Sequence, residues 1–215
     1  MTSVIEPAPR AGGYPPMLTA PRRSSPRVAV HDTRSPRRRE VESFIAAAFT
    51  KHFDASISTF MPMLLALHDN LGKPVAAVGC RDAASRHLFL EQYTRQPIET
   101  LLRERLGVTV SRENIVEIGN LACSGPRSAL TIVRNLIPFL LHAGYQWAVF
   151  TAADTVFGVF RRLHVEPHAL CRADRALLEG EHDDWGTYYQ HAPTVMAGRL
   201  IDVLCVANRL SRSYS

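Results

Sequence analysis

Apolar positions along this chain fall into helical stripes and short extended runs, and the two kinds alternate. Between Arg38 and Phe53 the residues Val41, Phe44, Ile45, Ala48, Phe49 and Phe53 recur at spacings of three and four, which marks one face of a helix. Arg27–His31 ahead of it is short and extended. Two apolar runs follow, Met63–His68 and Pro74–Arg81, with Asp69-Asn70-Leu71-Gly72 as the turn between them. Leu88-Phe89-Leu90-Glu91-Gln92-Tyr93 reads as a third extended run. Its alternation puts Leu88 and Leu90 on one face and Phe89 and Glu91 on the other. These runs predict a meander of antiparallel strands. Pro97 then opens a charged helix through Arg105, since proline suits a first helical turn, and Gly107 ends it.

The second half alternates differently. Asn114–Cys123 predicts a strand, Ser128–Ala143 a helix, Trp147–Ala152 a strand, and Asp154–Leu163 a helix with Asp154 as its N-cap. Strand–helix–strand–helix calls for parallel pairing through crossover connections. Tyr188-Tyr189 and Val195–Val206 supply further elements. The expected fold class is α/β with a mixed sheet: an antiparallel meander first, a βαβα half second, and helices covering both.

Charge changes this picture only at the N-terminus. The 215 residues carry a formal net charge of +5. Residues 1–39 hold eight arginines against Glu6 and Asp32, while the remainder holds 17 basic and 18 acidic residues. Seven of the 14 prolines also lie in the first 36 residues. The division expected is therefore a disordered basic Pro/Arg-rich tail over 1–36 and one folded domain over 37–215. A basic tail beside a nearly neutral body argues against a nucleic-acid partner. The N-terminal stretch has Glu6, Arg10 and four prolines where a secretory signal needs a continuous apolar segment. The longest uncharged run, Asn135–Ala153, is broken by Pro138, His142 and Ala143-Gly144, so no transmembrane segment is expected. Cys80, Cys123, Cys171 and Cys205 stand singly with no C-x-x-C, which points to reduced thiols, no metal site and a cytoplasmic location.

Three stretches together resemble the thermostable haemolysin family. They are Leu88-Phe89-Leu90-Glu91-Gln92-Tyr93, Ile115-Val116-Glu117-Ile118-Gly119-Asn120-Leu121-Ala122, and Trp185-Gly186-Thr187-Tyr188-Tyr189 followed by Pro193-Thr194-Val195. The similarity runs from about Arg38 to Gly198. A pore-former would need long alternating strands or a strongly amphipathic insertion helix, and neither is visible. The order of elements instead resembles the acyltransferase fold of the GNAT superfamily, particularly the acyl-homoserine-lactone synthases. In those enzymes a strand of pattern E-I-x-R-[FL]-A follows the meander; here it is Glu117-Ile118-Gly119-Asn120-Leu121-Ala122.

That resemblance implies an N-acyltransferase moving a fatty acyl group from acyl-CoA, or from the phosphopantetheine of acyl carrier protein, to a small amine by direct attack. No permanently bound cofactor is implied. The corresponding strand-to-helix junction, Leu121-Ala122-Cys123-Ser124-Gly125-Pro126-Arg127, would hold the pantetheine arm and its phosphate. A helix N-terminus suits an anion because its free N–H groups point outward, and Arg127 adds a cation. Only one glycine is present and Pro126 removes one donor, so a carrier-protein thioester with a single phosphate fits this reduced loop.

Glu117 and Glu91 are the candidate proton acceptors, because an amine must shed a proton as it attacks a thioester. Burial in an apolar strand would raise Glu117 toward a useful range. Arg81 matches an arginine of the synthases and is a substrate-binding candidate, although an ion pair with a glutamate explains it equally well. Asn120, standing where those enzymes carry a basic residue, together with Tyr93 and Trp185, completes the substrate-binding set. Two other classes remain open: a membrane-active haemolysin, and a non-catalytic binding module on the same fold.

Overall fold

The computed structural model describes residues 27–178 and 183–205. Among these described residues seven strands make one sheet: β1 (Arg27–His31), β2 (Met63–His68), β3 (Pro74–Asp82), β4 (Ile115–Cys123), β5 (Trp147–Ala152), β6 (His168–Arg172) and β7 (Thr194–Arg199), in the spatial order β1-β2-β3-β4-β5-β7-β6. Only β4 with β5 is parallel; every other neighbouring pair is antiparallel. A meander followed by a parallel crossover is thus the architecture, as the periodicity implies.

Helix α1 (Arg38–Phe53) lays Val41 and Ile45 against Leu64 and Ala66 of β2, Ala77 of β3 and Ala122 of β4. Small residues on the strands let the helix sit close. Helix α4 (Pro126–His142) buries Ile132, Leu136 and Leu140 on the opposite face against Leu65, Val78 and Val116. Two shorter helices, α2 (Glu91–Thr94) and α3 (Ile98–Leu106), share α1's side of the sheet and close a cluster with Ile115, Val149 and Val195. Helix α5 (Phe157–Leu163) connects β5 toward β6.

Several expectations are corrected. Leu88–Tyr93 is not a strand but a turn entering α2: Glu91, Gln92 and Tyr93 donate their N–H groups to Leu88, Phe89 and Leu90. A short apolar run does not by itself distinguish strand from helix. Here the free N–H groups of the first turn find side-chain carboxylates instead of a neighbouring strand. Asp154 starts a single 3-10 turn (Asp154–Val156) ahead of α5. Beyond β7 residues 200–205 are helical, and Val206 lies outside the described residues. β6 was not anticipated from the sequence. β1 lies before the boundary expected at residue 36 and is an edge strand of the sheet. The arm over 1–26 lies outside the described residues.

Candidate functional site

The site forms where the sheet splits. β4 and β5 pair only from Ile115–Ile118 against Trp147–Phe150, although β4 runs on to Cys123. Past Ile118, β4 pairs with β3 but not with β5 among the described residues. The ladder with β3 also shifts there: Ala77 faces Ala122 while Gly79 faces Gly119, so β4 spends an extra residue. Such a bulge bends its strand and re-aims side chains. Asn120 sits in it with φ +50, in the left-handed region that asparagine tolerates better than most residues.

A cavity of about 410 Å³ occupies the split. Phe53, Met61, Phe89 and Trp185 wall it on α1's side of the sheet, and Val133, Leu136 and Phe150 on α4's side. It therefore crosses the sheet, and Glu117 and Arg81 line it near the crossing. Its wall is mostly apolar, with few charged groups, as ligand pockets are.

Glu117 is 2% exposed. Its two carboxylate oxygens accept hydrogen bonds from the N–H groups of Phe89 and Leu90, both at 2.9 Å. Arg81, its cross-strand partner, brings Nη1 to 3.6 Å. Burial pushes the Glu117 carboxyl above the ordinary glutamate value, and Arg81 and the two N–H groups offset this only in part. A carboxylate raised in this way is a better proton acceptor.

Glu91 is equally buried but is held differently. Arg112 grips it in a bidentate pair, Nη1 to Oε1 at 2.6 Å and Nη2 to Oε2 at 2.8 Å. The N–H groups of Leu88 and Ile98 add bonds of 2.8 and 2.9 Å. Burial acts to raise this carboxyl, but the Arg112 and backbone bonds outweigh it and hold it below its usual value. Glu91 is buried and is not among the residues lining the cavity. Its pairing with Arg112 could not be found from sequence, because a lone arginine before β4 carries no local signal.

Of the other sequence candidates, Tyr93 lines the cavity with its hydroxyl 2.6 Å from that of Tyr189. Asn120 also lines it, but its Oδ1 accepts the N–H of Met61 at 2.7 Å, so it holds a loop in place. That loop needs the strand glycines: a Cβ on Gly79 would come 2.5 Å from the Met61 Cβ, and one on Gly119 2.5 Å from its Cε. Trp185 lines the cavity, and its Nε1, like the Nε of Arg81, is buried and without a hydrogen-bond partner among the described residues. Leu121, Ala122 and Cys123 line the cavity, whereas Ser124, Gly125 and Arg127 stand at the β4–α4 turn outside its wall. At that turn Ser128 donates its hydroxyl to the Gly125 carbonyl at 2.8 Å. Burial pushes the Cys123 thiol up to about 11, which keeps it protonated near neutrality and unsuited to attack on a thioester.

Trp185 is carried by a strap that sequence reasoning missed. Asp183 accepts from the N–H and hydroxyl of Ser58 at 2.6 and 2.7 Å and from the N–H of Thr59 at 3.2 Å. Ser56 and Asp184 exchange backbone bonds, and Thr187 donates to the Phe53 carbonyl at 2.7 Å. Gly186, at φ +49, packs so closely on α1 that a Cβ would lie 2.1 Å from the Phe53 oxygen. The Asp183-Asp184-Trp185-Gly186 stretch has the composition of a turn, a signal that gives no docking place.

Solved structures share this fold at low identity. TofI, in a ternary complex with an inhibitor and MTA, is 12% identical, with a TM-score of 0.58 over 84% of this chain and 96% of that one. The AHL synthase LasI is 12% identical, with a TM-score of 0.56 over 82% and 91%. FeeM, an N-acyl amino acid synthase from uncultured soil microbes, is 12% identical, with a TM-score of 0.55 over 83% and 93%. No curated protein matches the chain in sequence. The family profile described as thermostable hemolysin matches residues 31–204, including β2 through β7 in full. On that match, which spans most of its length, the chain belongs to the thermostable hemolysin family.

Proposed function

We propose that this protein is an N-acyltransferase that moves a fatty acyl group from a thioester, acyl-CoA or acyl carrier protein, to an amine acceptor. The observation that carries the reading is the cavity crossing the sheet at the β4–β5 split with Glu117 on its wall. Lined from both faces of the sheet, the cavity would let the two substrates approach from opposite sides and meet beside Glu117.

In the reaction the amine nitrogen attacks the thioester carbonyl carbon and a C–N bond forms. Glu117 takes the proton the nitrogen sheds. The C–S bond then breaks, and the departing thiolate leaves as a thiol after taking up a proton. Glu91, held by Arg112, fixes the turn whose N–H groups orient Glu117, and acts as a positioning residue. The anion end of the donor would sit at the start of α4, where Arg127 and the open N–H groups of the first turn favour negative charge. The products are lipid amides. An amphiphile of that kind connects the chemistry to the family's description, since it would disturb membranes without the protein entering one. Among the described residues no helix is long and apolar enough to cross a membrane.

The test is incubation of the purified protein with acyl-thioesters and amines, followed by mass spectrometry for the amide. Amide formation that Glu117→Gln abolishes supports the reading. Leakage of liposomes caused by protein alone, with no amide formed from any thioester, would refute it.

A further inference from the structure

Two N–H donors beside the cavity have nothing to bind. Arg81 Nε and Trp185 Nε1 are both buried and without a hydrogen-bond partner among the described residues, and Arg81 and Trp185 line the same cavity. The large majority of buried side-chain donors in folded proteins are paired, so two such donors on residues lining one cavity point to acceptor atoms brought by a ligand. Trp185 is not free to turn away. Its ring packs on Phe49, Phe89, Tyr188 and Tyr189 with centroids 6.3, 5.9, 5.4 and 6.2 Å distant.

The charges beside these donors set the ligand's own pattern. Arg81 and Glu117 are neighbours on β3 and β4, one cation and one anion side by side. At 3.6 Å their contact is long compared with about 2.7–2.9 Å for a charge-assisted bond, so each charge has capacity for a second partner. A molecule matching this pair has a basic nitrogen and an anion as close neighbours.

We infer that the acceptor is an α-amino acid, its nitrogen facing Glu117 and its carboxylate facing Arg81 and Trp185. In an α-amino acid both groups hang from one carbon, as the adjacent charges of the site require. A simple amine would fill the nitrogen position and leave both donors empty. The ring cluster around Trp185 suits an apolar side chain on the same molecule. The inference rests on the acyl-transfer reading and narrows its acceptor.

The experiment compares matched acceptors with the full-length protein and a panel of acyl-CoA and acyl-carrier-protein donors. The pairs are phenylalanine with phenethylamine, leucine with isoamylamine, and alanine with ethylamine, each amine being the amino acid without its carboxylate. The expected result is a kcat/KM for the acid at least roughly ten-fold above that for its amine, the scale of a hydrogen bond to a charged group. In Trp185→Phe, which keeps the ring and loses the N–H, and in Arg81→Lys, which loses the fork, that ratio should fall several-fold. Amines accepted as well as amino acids would overturn the inference while leaving acyl transfer standing. A preference for acids that neither variant lowers would overturn the assignment to these two donors. Transfer to neither class from any donor would remove the acyl-transfer reading and this inference together.

Discussion

Arg81 and Glu117 face each other in register across β3 and β4, yet Glu117 takes its two short hydrogen bonds from the backbone of Phe89 and Leu90 and not from the arginine. The carboxylate is thus fixed by backbone, and the guanidinium beside it adjusts its charge.

Replacing Glu117 with glutamine should slow transfer by about 10²–10⁴-fold, the usual worth of a positioned proton acceptor. The side chain keeps its size, so circular dichroism should show the fold retained. The acid side of the pH–rate profile should go with it. In the proposed mechanism Glu117 accepts a proton and so must be ionised, and burial raises its folded pKa above the ordinary 4.5, so the wild-type rate should rise with pH through a midpoint above that value. A profile unchanged in the glutamine variant would remove Glu117 from the chemistry.

Arg112→Met should destabilise the fold by about 3–5 kcal/mol, because it leaves the buried Glu91 carboxylate without its ion partner. The effect has a defined pH sense. Glu91 is held below its unfolded value of about 4.5, so its contribution is present above that pH and is lost as pH falls through the folded pKa. Urea unfolding of wild type and variant should therefore converge in acid.

Gly79 and Gly119 meet the same methionine with unequal consequence. In Gly79→Ala the new carbon lies against Met61 Cβ, which is fixed to the backbone, and the expected loss is about 1–3 kcal/mol. In Gly119→Ala the obstacle is the movable Cε end, so the loss should be under about 1 kcal/mol. Met61→Ala should erase the Gly119 effect and leave most of the Gly79 effect. A double-mutant cycle measured by chemical denaturation reads both.

The edge of the sheet should weaken in mild acid. His31 and His68 are buried with ring centroids 5.7 Å apart, and neither Nε2 has a partner. Burial, then His68 and Arg37, lowers the His31 pKa from 6.5. A group depressed in the fold stabilises it fully above its unfolded pKa and less as pH falls toward the folded one. The melting temperature should drop as pH is taken below about 6.5, and His31→Phe should flatten that drop. An identical slope in the variant would place the sensitivity elsewhere.

How far these features could be read from sequence follows from the range of the interactions. The stripe from Val41 to Phe53 and the runs of β2 to β5 are local patterns, and those elements form where periodicity puts them. Leu88–Tyr93 defeated the same reasoning because its backbone partners, Glu117 and Glu91's own side chain, are not encoded in its alternation. The sequence singled out Glu117, Arg81, Asn120, Tyr93 and Trp185, and all five line one cavity. It could not show that Asn120 holds Met61, nor that Glu91 belongs to Arg112, since those pairs are separated by 59 and 21 residues. Asp183, 125 residues from Ser58, was beyond any local pattern.

That last separation bears on how the protein is made. The wall of the cavity that holds Trp185 is tied to the end of α1 and the segment after it by bonds from residues 183–187 to residues 53–59, and by the packing of Trp185 on Phe49. On the ribosome β1 to β5 and α4 are made before this segment and before β7, so the Trp185 wall joins the cavity late. Contacts of such long sequence separation also form slowly. A nascent or truncated chain ending before Asp183 would carry Glu117 without the ring wall and indole N–H of Trp185, and without β7 beside β5.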